Sequence, residues 1–207
     1  VSTKFDESSI QAKLAATKLE PLAATFDVGI DKLNLDRYIP AESKDAKKGD
    51  DRVDLSPLKG KTVSGKIAIG DLTAKRVKLQ NVKAEVKLAG GKLEVSPHSA
   101  NLYGGTVSGA LVADANGNRI AVKENLQNVA LGPLLRDAAQ KDVMEGRGNV
   151  SVDVQTAGGT VPALKKALAG AVKVDVKDGA IKGVNLADSA RNLKSTLGAK
   201  QTKPDPT

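Results

Sequence analysis

A period of two runs through residues 77–113, and no other feature of the chain restricts its fold as strongly. Val82, Ala84, Val86 and Leu88 alternate with Lys83, Glu85 and Lys87. After Gly90-Gly91, Leu93 and Val95 alternate with Lys92, Glu94 and Ser96; after Gly104-Gly105, Val107, Gly109, Leu111 and Ala113 carry the same phase onward. Successive side chains of a strand point to opposite sides, so this pattern describes a sheet with one apolar and one polar side. The stretch predicts four consecutive antiparallel strands, with the glycine pairs as turns. What covers the apolar side is then the question on which function depends: an ordinary core or a bound lipid.

The same reasoning extends to both flanks. Residues 1–40 predict a β-hairpin of the same sheet system, with Ser9–Leu14 and Phe26–Ile30 alternating on either side of Glu20-Pro21 and a short turn at Asp36–Ile39 closed by Pro40. Residues 41–54, AESKDAKKGDDRVD, are charged and aperiodic and read as a flexible linker. Residues 55–200 form the main β domain, with a strand at 63–68, a tight turn at Asn116-Gly117 and a resumed alternation at Ile120 and Val122. The valine triplets 150/152/154 and 172/174/176 make two more strands, the second running into a turn at Asp178-Gly179. About three short helices are expected, near 133–141, 161–169 (capped by Thr160, with Pro162 in its first turn) and 186–197, and residues 201–207 form a disordered tail. The fold class is therefore α+β, predominantly antiparallel β: a long twisted or curled sheet with an aliphatic concave face. Two faint internal echoes hint at repeated β units: Leu79-Gln80-Asn81-Val82 recurs as Leu126-Gln127-Asn128-Val129, and Ile30-Asp31-Lys32-Leu33-Asn34-Leu35 is mirrored by Ile181-Lys182-Gly183-Val184-Asn185-Leu186.

Composition narrows function mainly by exclusion. Aromatic residues make up 2% of the chain (Phe5, Phe26, Tyr38 and Tyr103), so any apolar surface is smooth and aliphatic, without the anchors usual at protein interfaces. There is no cysteine, hence no disulfide, cysteine-zinc site or thiol nucleophile. The net charge of +8 points to an anionic partner or surface, but the lysines occupy alternate strand positions with no aromatics between them to stack bases. Nucleic acid is not an expected partner. The chain opens at Val1 without methionine and is expected to be a piece of a longer protein, so a missing targeting segment carries no weight.

Chemical motifs fail one by one. Gly60-Lys61-Thr62 lacks the earlier glycine of a phosphate loop, since Leu55 stands there, and a strand follows Gly104-Gly105 where a dinucleotide site needs a helix. Residues 114–118 open like a calcium loop, but the glycine is misplaced and Asn125 stands where the closing glutamate belongs. His98 is the single histidine and is expected at a strand end, excluding multi-histidine metal sites. No catalytic constellation, cofactor or metal is expected, and the chain reads as non-enzymatic.

Three segments resemble the AsmA family. They are Phe26-Asp27-Val28 with Leu33–Pro40; Leu93–Gly105 continuing into Val107-Ser108-Gly109; and Leu168-Ala169-Gly170 with Val172–Val174 and Asp178–Leu186. In order, they are similar to the C-terminal periplasmic part of such proteins. The resemblance implies a periplasmic location in a Gram-negative envelope and an inner-membrane anchor outside this segment. It also implies a part in outer-membrane biogenesis, by lipid transport along a β-sheet groove. It supplies no catalytic residues. Read on their own, the residues offer Val82, Val86, Leu88, Leu93, Val95, Leu102, Val107, Leu111, Ile120 and Val122 as a lining for phospholipid or other acyl chains, which need no directional polar contacts. Lys83 and Lys87 are the candidates for headgroup contact at a rim. The alternative is a closed core in a scaffold that docks an outer-membrane assembly protein.

Overall fold

The computed structural model describes residues 2–20, 22–38 and 52–182. Over them the chain forms one open sheet of ten strands in sequence order. These are β1 (Ser2–Phe5), β2 (Ser8–Lys18), β3 (Ala23–Asn34), β4 (Thr62–Ala74), β5 (Val77–Ala89), β6 (Lys92–Leu102), β7 (Gly105–Asp114), β8 (Arg119–Ala130), β9 (Met144–Ala157) and β10 (Ala169–Ile181). Neighbours are antiparallel except β3 and β4, which run parallel, with Phe26 opposite Gly65 and Ile30 opposite Ile69. Two helices interrupt the strands, α1 (Leu131–Ala139) and α2 (Val161–Ala167). The expected helix at 186–197, the tail and nearly all of the 41–54 linker lie outside the described residues. Arg52, at the end of that stretch, bridges to Thr160, and Val53 donates to the Gly159 carbonyl at 2.9 Å.

Residues 77–113 hold three strands, not four. Gln80-Asn81 is a bulge within β5: the register to β6 shifts there, and Asn81 takes φ 52°. A bulge places one extra residue on one strand and leaves the strand continuous. Asp178-Gly179 behaves the same way, with Asp178 at φ 52° and β10 running on to Ile181. The two copies of Leu-Gln-Asn-Val prove to be the same device. Asn128 has φ 53° and sits in a register shift between β8 and β9, as Asn81 does between β5 and β6. Asparagine tolerates the left-handed region better than other side-chain-bearing residues, which is why it recurs there.

The turns follow local chemistry. Gly90 and Gly91, at φ 58° and 78°, make the two-residue connection that matches strand twist. In the β7–β8 turn the left-handed residue is Asn118, φ 46°, in place of the expected Asn116-Gly117 pair. Its side chain explains the difference, since it accepts from the Leu55 N–H at 3.3 Å and donates to the carbonyls of Val53 and Gly158. Thr160 caps α2 by accepting from the Ala163 N–H at 3.3 Å, as expected from its sequence position.

Burial concentrates where α1 lies over the sheet. Val129 is fully buried, and Leu102 and Leu131 are 4% and 6% exposed. Leu131 packs directly over Gly148 of β9, where an added Cβ would stand 2.8 Å from its Cδ1.

Candidate functional site

The ladder registers decide which residues share a side. One row crosses the sheet as Val63, Leu88, Leu93, Ala113, Ile120 and Thr156, each opposite the next. The neighbouring row is Gly65, Val86, Val95, Leu111, Val122 and Val154. Val82 pairs with Ile69, Val107 with Ala100 and Leu126, and Leu102 with Leu79. All ten residues proposed from the sequence thus fall on one side of the sheet. Leu88 and Leu102 are buried there and the other eight half-buried.

Beside the second row, between it and the Ile69–Val82 pair, runs a third: Ile67, Ala84, His98, Gly109, Glu124 and Val152. It sets a polar pair in the middle of the apolar side. His98 Nε2 stands 2.9 and 3.0 Å from the two Glu124 oxygens, and its Nδ1 donates to the Val95 carbonyl at 3.1 Å. Gly109 lies on the strand between them. A Cβ there would come within 2.6 Å of Glu124 Oε2, so glycine makes room for the bridge. His98 therefore sits within β6 and not at a strand end, one residue past the register shift at Ser96-Pro97. Sequence reading missed Glu124 because its partner is 26 residues away, a pairing that only the register of three strands creates.

Lys83 and Lys87 lie on the opposite side. Lys87 is opposite Ser64 and Glu94, Lys83 opposite Ala68 and Ser99, and both are exposed. Strand alternation requires this, because they are odd-numbered neighbours of the even-numbered lining residues. They project from the polar side of the strands, away from the lining residues.

At one end the apolar side is roofed by α1, which makes contacts reaching from β9 and β8 to β5. Asp137 of α1 accepts from the Tyr103 hydroxyl at 2.6 Å and faces Lys78 Nζ at 3.8 Å. Partial burial, then this hydrogen bond, pushes the Tyr103 phenol up to about 12. Asp142, just beyond α1, is held below the usual carboxylate range by Lys182 at 2.9 Å and Arg136 at 3.1 Å. Among the described residues no cluster of three or more His, Asp or Glu side chains could hold a metal ion.

Against this geometry, a sequence profile of the AsmA family matches residues 6–206. The chain belongs to the AsmA family. Neither a curated protein nor a solved structure matches it. AsmA membership supports, at the level of the family, a role in outer-membrane assembly or lipid transport in the cell envelope. No helix among the described residues is long and apolar enough to cross a membrane.

Proposed function

We propose that the apolar side of β4–β9 shields acyl chains of phospholipid from water, and that this periplasmic segment of an AsmA protein contributes in that way to outer-membrane assembly. The observation that carries the reading is the register itself. Val82, Val86, Leu88, Leu93, Val95, Leu102, Val107, Leu111, Ile120 and Val122 align across strands of a one-layer sheet, with α1 roofing one end. Aliphatic side chains without directional groups suit an acyl chain, which gains by leaving water and asks for no hydrogen bonds. The role is non-enzymatic, passive and without a cofactor; direction comes from partners or from the membrane anchor expected outside this segment.

Native mass spectrometry of the gently extracted protein, with lipid analysis after denaturation, tests the reading. Copurifying phospholipid, lost in Val86→Asp and Leu111→Asp variants that keep the β spectrum, supports it. A lipid-free protein that also resists added phospholipid overturns it.

One observation favours a second reading, a scaffold for an assembly partner. β10 is the last strand of the described sheet, paired on one edge only, and its Val172 and Val174 are more than half exposed. An unpaired edge beside exposed valines is suited to strand addition by another protein. A partner recovered from periplasmic extract, and lost on placing proline in β10, distinguishes this role.

A further inference from the structure

The polar side of the sheet is not uniform. Over most of it charged residues alternate and pair, Lys66 with Glu85 at 3.2 Å, Lys92 with Glu94 at 2.5 Å and Lys123 with Asp153 at 3.0 Å. At the α1 end this gives way to a single row across five strands: Asp71, Gln80, Asn101, Thr106 and Gln127, each directly opposite the next. Four of the five are uncharged hydrogen-bonding side chains, and all five line one cleft of about 870 Å³. That volume lies within the range of small-molecule sites, roughly 300–1,000 Å³.

We propose that this cleft binds a neutral polyhydroxylated ligand, a short glycan chain. Amide groups offer two donors and an acceptor each and the threonine hydroxyl offers both, which matches the mixed donor and acceptor character of sugar hydroxyls. Within the chain these groups are largely uncommitted. Gln80 Nε2 donates to Asp71 at 3.1 Å, while the side chains of Asn101, Thr106 and Gln127 have no hydrogen-bond partner among the described residues.

Charges of both signs border the cleft, so it offers no concentrated positive field for an anionic ligand. Arg147 donates through Nε to Asn128 Oδ1 at 2.8 Å and through a terminal nitrogen to the Gly104 carbonyl at 2.9 Å. Lys78 faces Asp137, and Asp71 accepts from Gln80. Tyr103 uses its hydroxyl on Asp137 and the Lys78 N–H, leaving its ring as the aromatic surface of the cleft.

The two Leu-Gln-Asn-Val copies acquire a purpose here. Each bulge holds its Gln and the following left-handed Asn at exposed positions, and Gln80 and Gln127 stand on β5 and β8 with Asn101 and Thr106 between them. The second copy is pinned, since Asn149 Oδ1 accepts from the Asn128 N–H at 2.8 Å. Strands stand about 4.8 Å apart, so five of them present their hydrogen-bonding groups over about 19 Å, a span for an oligosaccharide and not a single sugar. Side chains carried on paired strands are also better fixed than side chains on loops. The proposal does not rest on lipid shielding, which concerns the other side of the sheet and shares only Leu102 with this cleft.

Side-chain amide resonances of the full ¹⁵N-labelled chain read the site directly, with maltotetraose and chitotetraose as probes. The expected result is saturable movement of the Gln80, Asn101 and Gln127 side-chain signals at or below about 1 mM sugar. Asn101→Ala and Gln127→Ala should each weaken the effect at least several-fold, while Lys83→Ala, on the same side but outside the cleft, should leave it unchanged. If an alanine variant unfolds, Asn101→Ser and the wild-type titration still decide. No movement with either sugar up to about 10 mM, movement indifferent to the cleft variants, or a salt-sensitive preference for a sulfated over a neutral sugar overturns the proposal.

Discussion

Val129 on β8 and Val174 on β10 occupy the same kind of position, a valine on the apolar side of a paired strand, yet the first is fully buried and the second 59% exposed. The difference is α1. A single-layer sheet satisfies its backbone hydrogen bonds but leaves much of its apolar side without cover, so burial is deepest where a helix lies across the strands, while Ile69, Leu88 and Ala113 away from α1 are each still 8% exposed. At the α1 end Leu131 fills the space over Gly148, and Leu102 and Ala100 are buried nearby. At the β10 margin the described chain places nothing over Val172 and Val174. Stability therefore gathers at one end, and the rest of the apolar side is left as surface that a ligand or partner can use.

Leu131→Ala should break this contrast most severely. It leaves a cavity under α1 and is expected to cost about 2–4 kcal/mol in urea unfolding, whereas Val174→Ala should stay within about 0.5 kcal/mol. Equal costs would mean that α1 is not what holds this end. A second, smaller effect concerns the polar pair between the two regions. Glu124→Ala removes the partner of His98 Nε2 on a half-buried surface and should cost about 1–3 kcal/mol, with Glu124→Gln losing less because its amide can still hydrogen-bond Nε2.

Smaller still is the tie between α1 and the β6–β7 turn. Because the Tyr103 phenol is raised to about 12 in the folded protein from its ordinary value of about 10, the folded state holds its proton more tightly. The stabilisation is complete below pH 10 and lost as pH rises through 12, the range where the unfolded chain releases the proton first. Tyr103→Phe should cost about 1 kcal/mol at neutral pH and flatten that alkaline decline in denaturation curves recorded at pH 9 and pH 11.5. The smallest change expected is Val174→Thr, within about 0.5 kcal/mol and without effect on α1 contacts.

Most of the sheet was legible because its pattern is local. Alternation at Val82–Leu88, Leu93–Val95 and Ile120–Val122 assigns strands and their apolar side at once, and every proposed lining residue falls on that side. What escaped was either non-local or ambiguous. A glutamine-asparagine pair reads equally as a turn or a bulge, and only pairing on both sides of β5 shows that the strand continues. The parallel junction of β3 and β4 depends on a long connection with no periodic signal. His98 and Glu124 meet across Gly109, and the amide row needs the registers of five strands to become visible. Lys83 and Lys87 lie on the polar side because adjacency in sequence places residues on opposite sides of a strand.

The central claim, that the apolar side of the sheet receives acyl chains, can be tested with one pair of labels. The chain has no cysteine, so Leu111→Cys and Lys87→Cys each carry a single fluorophore, one on either side of the sheet. Phospholipid bearing a quencher on its acyl chain is then titrated into both proteins. Saturable quenching at position 111 with little at position 87 is the predicted result. Equal quenching at both positions, or none at 111, would contradict it.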